Sequence, residues 1–486
     1  MNIAQFPALL NPRLLQTTTT QYSSTSFKPI AYFNVETVQW AILFGVSFLL
    51  GVGMGGNDVA DAFGTSVGTG TVTLTQAFIL ATVVEMMGAL AAGWSGDPGR
   101  KLKIVDTMIY KDEPDTLIFG QIAILIACAS WLLLATYYRM PVSSIHSLLG
   151  ATLGFSIVVC GLEGVVWERV LTVVLTWLFS PVISAVFTLI TFFLLDVCVL
   201  QRKNPVETGL FILPILYFFV IFINVFLLIQ DGSRVLQLDD IALSTSIAIS
   251  ILCGGVAAIV ALLFIGPYMK WKIRQETKEL PRIASSLSYN LPIKPSGFIR
   301  KAVYWAFPPI RKDDQKAVRL FSLLQVITAI FVGFAHGAND IIICVSPIRD
   351  LIEMFHEDTS FNEIREISLY IGLLTALAAL LGIWTLGIRV IETVGCDLSK
   401  INPATGFSVE FGAAITGLIT NSFNIPQSQT HCLVASLIGL GLVRSGPILK
   451  WKTVKNVFVS WVLTIPISGL FSAAVMFLFR IIYDLN

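Results

Sequence analysis

Apolar runs of roughly twenty residues, the length that crosses a bilayer core of about 30 Å, follow one another along most of this chain. The first begins near residue 39, a second covers 72–94, and a third zone, 118–159, is interrupted by the polar, proline-bearing R-M-P-V-S-S-I-H of residues 139–146. Long runs follow at 171–200, 207–230 and 241–267, then a hydrophilic connection at 270–319, a further run, and another at 368–390. Residues 409–423 and 431–443 form two short arms around N-I-P-Q-S-Q-T. At 1.5 Å per residue these arms reach only about 20 to 23 Å, which predicts a re-entrant hairpin rather than two full crossings. A last run covers 456–483. The pattern predicts an all-α polytopic membrane protein of about twelve membrane segments, two re-entrant hairpins among them.

Composition agrees. The chain is 55% hydrophobic and 13% charged, far from the roughly 25% charged residues of soluble domains, and its mean hydropathy is +0.78. A net charge of +1 gives no reason to expect a nucleic-acid partner. Six of the seven cysteines lie in apolar runs and read as packing residues, without disulfide or metal-site spacing. Residues 1–38 are Ser/Thr-rich and lack the basic start and short apolar core of a cleavable signal.

Charge distribution orients the chain. Residues 270–319 carry twelve Lys/Arg against four acids and are expected on the cytoplasmic side. Arg202, Lys203 and the cluster Arg444, Lys450, Lys452 and Lys455 fall on the same side, while the acidic 349–366 falls outside. The expected organisation is a polar segment (1–38), a first repeat (39–165), a linking bundle (166–267), a basic cytoplasmic loop (268–319) and a second repeat (320–483).

The repeats are visible in polar motifs set inside apolar runs. Residues 55–62 read G-G-N-D-V-A-D-A and residues 337–344 read G-A-N-D-I-I-I-C, so Asn57 and Asp58 recur as Asn339 and Asp340. Likewise P-V-S-S-I-H from Pro141 recurs as P-Q-S-Q-T-H from Pro426, in the same order and at nearly the same offset. Tracing topology back from the basic loop gives the two copies opposite orientations. Inverted repeats with broken helices meeting near the midplane are the pattern of secondary transporters. The glycines at 51, 53, 55 and 56 suggest a break or a close helix contact in the first run.

Each P-x-S-x-x-H reads as the start of a half-helix, with proline tolerated in the first turn and serine as cap. Such a start offers free N–H groups and a positive dipole end to an anion. Ser143, Ser144, Ser428, Gln429 and Thr430 add donors suited to a tetrahedral oxyanion. Asp58 and Asp340 repel an anion when ionised, so a cation belongs between them, and sodium suits carboxylate, amide and carbonyl oxygens. Glu85 and Glu410 are further acids inside apolar runs. His146, His431 and Asp61 carry structural or coupling roles. Competing readings are packing serines, histidines that only shape the hairpin, and a buried polar network around the aspartates.

Together these residues resemble the inorganic phosphate transporter (PiT) family, the type III sodium-phosphate symporters. The two N-D stretches look like its duplicated signature G-A-N-D-V-A-N-A, and the resemblance spans nearly everything except residues 1–38 and the central loop. It implies a phosphate importer driven by sodium, or in some members by protons, with paired re-entrant hairpins. Asn57, Asp58, Asn339 and Asp340 fall on positions that serve phosphate and sodium. Q-A-F-I-L-A-T-V-V-E, ending at Glu85, and G-F-S-V-E, ending at Glu410, resemble family segments with functional glutamates. Departures are Asp61 in place of Asn, Ile145 and Gln429 in place of threonines, and Ile343 and Cys344 in the second signature.

The expected site is therefore Asn57, Ser143, Ser144, Asn339, Ser428, Gln429 and Thr430 for phosphate, and Asp58, Asp340, Glu85 and Glu410 for sodium. No cofactor is expected beyond the co-transported ion, a multi-pass location in the plasma membrane is expected, and a homodimer is compatible with the sequence. An intramembrane aspartyl protease using Asp58 and Asp340 lacks a G-x-G-D context. A serine protease lacks a G-x-S-x-G elbow. An anion channel is the remaining alternative and predicts currents without accumulation.

Overall fold

The computed structural model describes residues 35–91, 104–105, 107–110, 113–230, 241–279, 313–355, 361–423, 425–445 and 449–483. Most of the polar 1–38 segment and residues 280–312 of the basic loop lie outside the described residues. Among the described residues the chain is helical, with one isolated bridge between Val105 and Val165.

The first repeat contributes α1 (Val35–Gly68), α2 (Leu74–Ala91), α3 (Pro114–Tyr137) and α4 (Ser144–Cys160). The long α5 (Trp167–Leu195), α6 (Pro205–Gln230), α7 (Leu243–Val260) and α8 (Gly266–Glu279) lead towards the basic loop. After the short α9 (Gln315–Arg319) come α10 (Ser322–Phe355), α11 (Phe361–Glu392), α12 (Pro403–Ser422), α13 (Gln429–Ser445) and α14 (Trp451–Tyr483). Among the described residues nine helical stretches are long and apolar enough to cross a membrane. These stretches make the chain an integral, multi-pass membrane protein, with a mostly apolar outer surface where lipid replaces water as the solvent.

Packing pairs the two copies crosswise. The α10 helix packs on α2, and α1 lies against α11; α4 and α3 both pack on α14, while α13 and α12 both pack on α5. Among these contacts α10 on α2 matches α1 on α11, and α4 and α3 on α14 match α13 and α12 on α5. Glycines set these approaches, two of them beside the N-D pairs. A Cβ on Gly55 would lie 2.1 Å from the carbonyl oxygen of Ala379, and one on Gly337 would lie 2.0 Å from that of Glu85. Both distances are below any van der Waals contact, so only hydrogen fits, as is usual where membrane helices meet backbone to backbone.

This resolves the expectation of a break at the opening motif. The α1 and α10 helices run unbroken through Asn57 and Asn339, and the glycines serve close packing instead. The interruptions sit elsewhere, in the non-helical 141–143 and 425–428 just before α4 and α13. The second pair of arms is also longer than the apolar pattern indicates, because α12 begins at Pro403, six residues before the apolar arm starts. Polar residues extend a helix that hydropathy alone truncates.

Two ion pairs tie polar segments together. Lys270 pairs with Glu207 at 3.1 Å, and Arg444 pairs with Asp313. Both pairs join segments assigned by charge to the cytoplasmic side.

Candidate functional site

The half-helix starts form as their sequence dictates. Ser143 is extended at φ −93°, ψ 123°, and its hydroxyl accepts from the His146 N–H at 3.4 Å, capping α4. Ser428 accepts from the His431 N–H at 3.3 Å in the same way at α13. A cap satisfies one of the free N–H groups at a helix start and leaves others available. The imidazoles of His146 and His431 meet between the two hairpins, ring centroids 4.8 Å apart, with Trp461 4.1 Å from the His431 ring. Ser428 Oγ also bonds His431 Nδ1 at 2.6 Å.

Asn57 is wholly occupied in holding the first interruption. Its amide donates to Thr136 Oγ1 at 2.9 Å and to the Met140 carbonyl at 3.0 Å, and its oxygen accepts from the Val142 N–H at 3.0 Å. Its repeat mate Asn339 lies on an exposed face of α10 and makes no such bond among the described residues. The two asparagines, expected to act alike towards phosphate, are therefore in different environments.

The carboxylates converge on α1 and α10. One ligand atom each from Asp58, Asp340 and His336 lie within 4.8 Å of one another, all three residues buried. Ser144 Oγ donates to Asp58 Oδ2 at 3.3 Å, and Thr430 Oγ1 donates to Asp61 Oδ2 at 2.5 Å. Asp61 Oδ2 is also 3.9 Å from His336 Nε2. The hairpin hydroxyls thus rest on carboxylates. Among the buried oxygens without a hydrogen-bond partner are Asp58 Oδ1, Asp61 Oδ1, Asp340 Oδ2, Glu85 Oε1 and Gln429 Oε1. All five are acceptors. Among the described residues no Lys or Arg is buried to answer them. Acceptors without donors, in a place where an unpaired charge is costly, suit a hard cation with oxygen ligands.

Glu410 is placed differently. It is fully buried, Thr65 and Thr328 donate to its two oxygens, and Gln325 Nε2 approaches at 3.5 Å. Gln325 is held in turn by Thr69 and Thr71 at 3.0 and 3.1 Å. Glu410 therefore meets α1 at Thr65, seven residues or about 10 Å along the helix from Asp58. It forms a satisfied nest of its own beside the central cluster. Glu85 stands on α2 at the Gly337 crossing, 4% exposed.

Several residues escape a reading of the repeats. His336 precedes the second N-D pair by one turn, and the equivalent position in the first copy is Met54, so looking for repeated polar residues passes over it. Thr136, the Asn57 partner, and the Thr65, Thr328 and Gln325 set around Glu410 are neutral residues in apolar runs. The one sequence signal was polarity inside a membrane segment.

Comparison with known proteins supplies the lineage. A model of the phosphate transporter family matches residues 54–472. Sodium-dependent phosphate transporter 1 of Mus musculus is 25% identical, over 96% of this chain and 98% of its own length. A putative phosphate permease of Haemophilus influenzae is 26% identical, over 94% and 99%. A solved structure described as the sodium-dependent phosphate transporter aligns with a TM-score of 0.72 at 28% identity, covering 92% of this chain and all of its own. The duplicated N-D and P-x-S-x-x-H elements fall inside the matched range, and the chain belongs to the phosphate transporter family.

Proposed function

We propose that the chain imports inorganic phosphate coupled to sodium, by alternating access around the cluster of Asp58, His336 and Asp340. The observation that carries the coupling is the set of buried acids with unpartnered oxygens and no buried Lys or Arg among the described residues. An anion enters such a cavity only after cations have neutralised it. The relatives' names, sodium-dependent phosphate transporter and phosphate permease, support the choice of ions.

The hydroxyl positions suggest the order of events. Ser144 donates to Asp58 and Thr430 to Asp61. Cations at the carboxylates take over those oxygens and release the hydroxyls, which then donate to phosphate alongside the free N–H groups of α4 and α13. Sodium therefore creates the phosphate site. Ser143, Ser428 and Gln429 complete the tips of the two hairpins, α3–α4 and α12–α13, which turn back within the bilayer. With these two hairpins the chain has about twelve membrane segments, its two copies lie inverted, and it resides in the plasma membrane.

The test is uptake of labelled phosphate by purified protein in proteoliposomes. Accumulation is expected with an inward sodium gradient and not with a proton gradient alone, and sulfate is expected to compete poorly. Uptake indifferent to sodium removal overturns the coupling. Current without accumulation overturns the carrier.

A further inference from the structure

Asp61 sits where the family signature carries Asn, and its placement gives the extra charge a role. Its carboxylate is 1% exposed and accepts from Thr430 Oγ1 at 2.5 Å. Thr430 is the second residue of α13, whose start faces the site as a positive dipole end. Asp61 therefore holds an anionic group against the second hairpin tip, the place and the donor that the reading above gives to phosphate. This position's repeat mate is Ile343, whose apolar side chain offers no charge to the first hairpin. The other oxygen, Oδ1, has no partner, and His336 Nε2, likewise unpartnered, lies 3.9 Å from Oδ2.

We propose that Asp61 is a built-in competitor of phosphate: in the sodium-free carrier its carboxylate occupies the anion subsite at the tip of the second hairpin and keeps that subsite shut to phosphate. The inference rests on the phosphate-carrier reading. Competition follows from charge. Two unit negative charges about 5 Å apart, in a protein site with an effective dielectric near 20, repel by enough to weaken binding by at least about tenfold. A cation bound at the unpartnered Oδ1 draws the carboxylate away from Thr430 and cancels the repulsion. Asp61 thus makes the affinity for phosphate depend on sodium more steeply than Asp58 and Asp340 do alone.

Asp61→Asn keeps size and an acceptor for Thr430 while removing the charge, and Asp61→Ser serves as a second variant if the first folds poorly. Phosphate KM is measured in proteoliposomes across a series of sodium concentrations. Phosphate-dependent thermal stabilisation of the purified protein over the same series gives a readout independent of turnover. The expected result is a KM about tenfold below wild type at low sodium, with the difference shrinking as sodium saturates, and a matching shift in the stabilisation curve. A KM that is unchanged, or raised, or altered by the same factor at every sodium concentration, overturns the inference while leaving the carrier reading intact. Absence of phosphate uptake and of phosphate-dependent stabilisation in the wild type overturns the carrier reading itself.

Discussion

The two interruptions before α4 and α13 carry the same motif and are held in opposite ways. The first is stitched down from three directions. From α1, Asn57 makes two bonds to it, at Met140 and Val142, and a third to Thr136 at the end of α3; Trp461 Nε1 donates to the Pro141 carbonyl at 3.1 Å from α14, and Thr393 Oγ1 donates to the Arg139 carbonyl at 2.9 Å from just past the end of α11. Arg139 itself holds φ at +62°, a left-handed conformation that costs a non-glycine residue on the order of 1 kcal/mol. An ion pair to Glu392 at 2.9 Å helps keep it there. The second interruption is held, among the described residues, by its own hairpin: the Ile425 N–H donates to the Thr420 carbonyl at 2.9 Å, and Cys432 Sγ contacts Gln427 Oε1 at 3.6 Å. The first interruption is latched to other helices, whereas among the described residues the second hairpin is tied to another helix past its interruption, by Thr430 to Asp61. Duplication gives two similar halves, and this difference shows that similar halves need not share a conformation at the same moment.

Five substitutions, at three levels of effect, break or sharpen that contrast. The largest effect is expected at the carboxylates that both halves share: Asp58→Asn or Asp340→Asn lowers sodium-driven phosphate uptake by about a hundredfold or more, since each removes a carboxylate from the buried cluster with His336 that is the proposed cation site. Retention of a tenth of wild-type uptake by both variants counts against the cation cluster. Next comes the asparagine pair. Asn57→Ala forfeits three buried hydrogen bonds, about 1 kcal/mol each, and strands their partners. Asn339→Ala, on an exposed face, is expected to change thermal stability by less than about 0.5 kcal/mol. If both variants melt alike in detergent, the latch is not what distinguishes the halves. The smallest effect is assigned to Trp461→Phe, which removes one hydrogen bond to Pro141 worth about 1 kcal/mol and keeps the ring beside His431. A shift in melting temperature of a few degrees, with uptake slowed severalfold at most, is the expected reading.

Much of this was legible in the chain because intramembrane polarity is rare. Asp58, Asp340 and the two serine caps stand out against apolar runs, and the near-equal spacing of their recurrences announces duplication before any coordinate is known. What the sequence hides is partnership. Asn57 and Asn339 are indistinguishable as letters, yet one is enclosed by Thr136, Met140 and Val142 while the other faces outward. Glu410 reads as one more cation ligand until Thr65 and Thr328 are seen closing over it. His336 has no counterpart in the first copy, so a search for symmetry misses it. Glycines point to close packing or to a break with equal force, and only the neighbouring helix decides.

The two glycine crossings bear on movement. Gly55 adjoins Asn57 and Asp58, and Gly337 adjoins Asn339 and Asp340, so each tight backbone contact is within one turn of the charged residues. Between α1 and α11 such contacts repeat, from Gly51 against Thr375 to Gly68 against Gly395 just past the end of α11, along about 25 Å of helix. Rods keyed together over that length neither tilt nor slide about a single point. The pair behaves as one beam, and Asp58 is carried on it rather than moving against it.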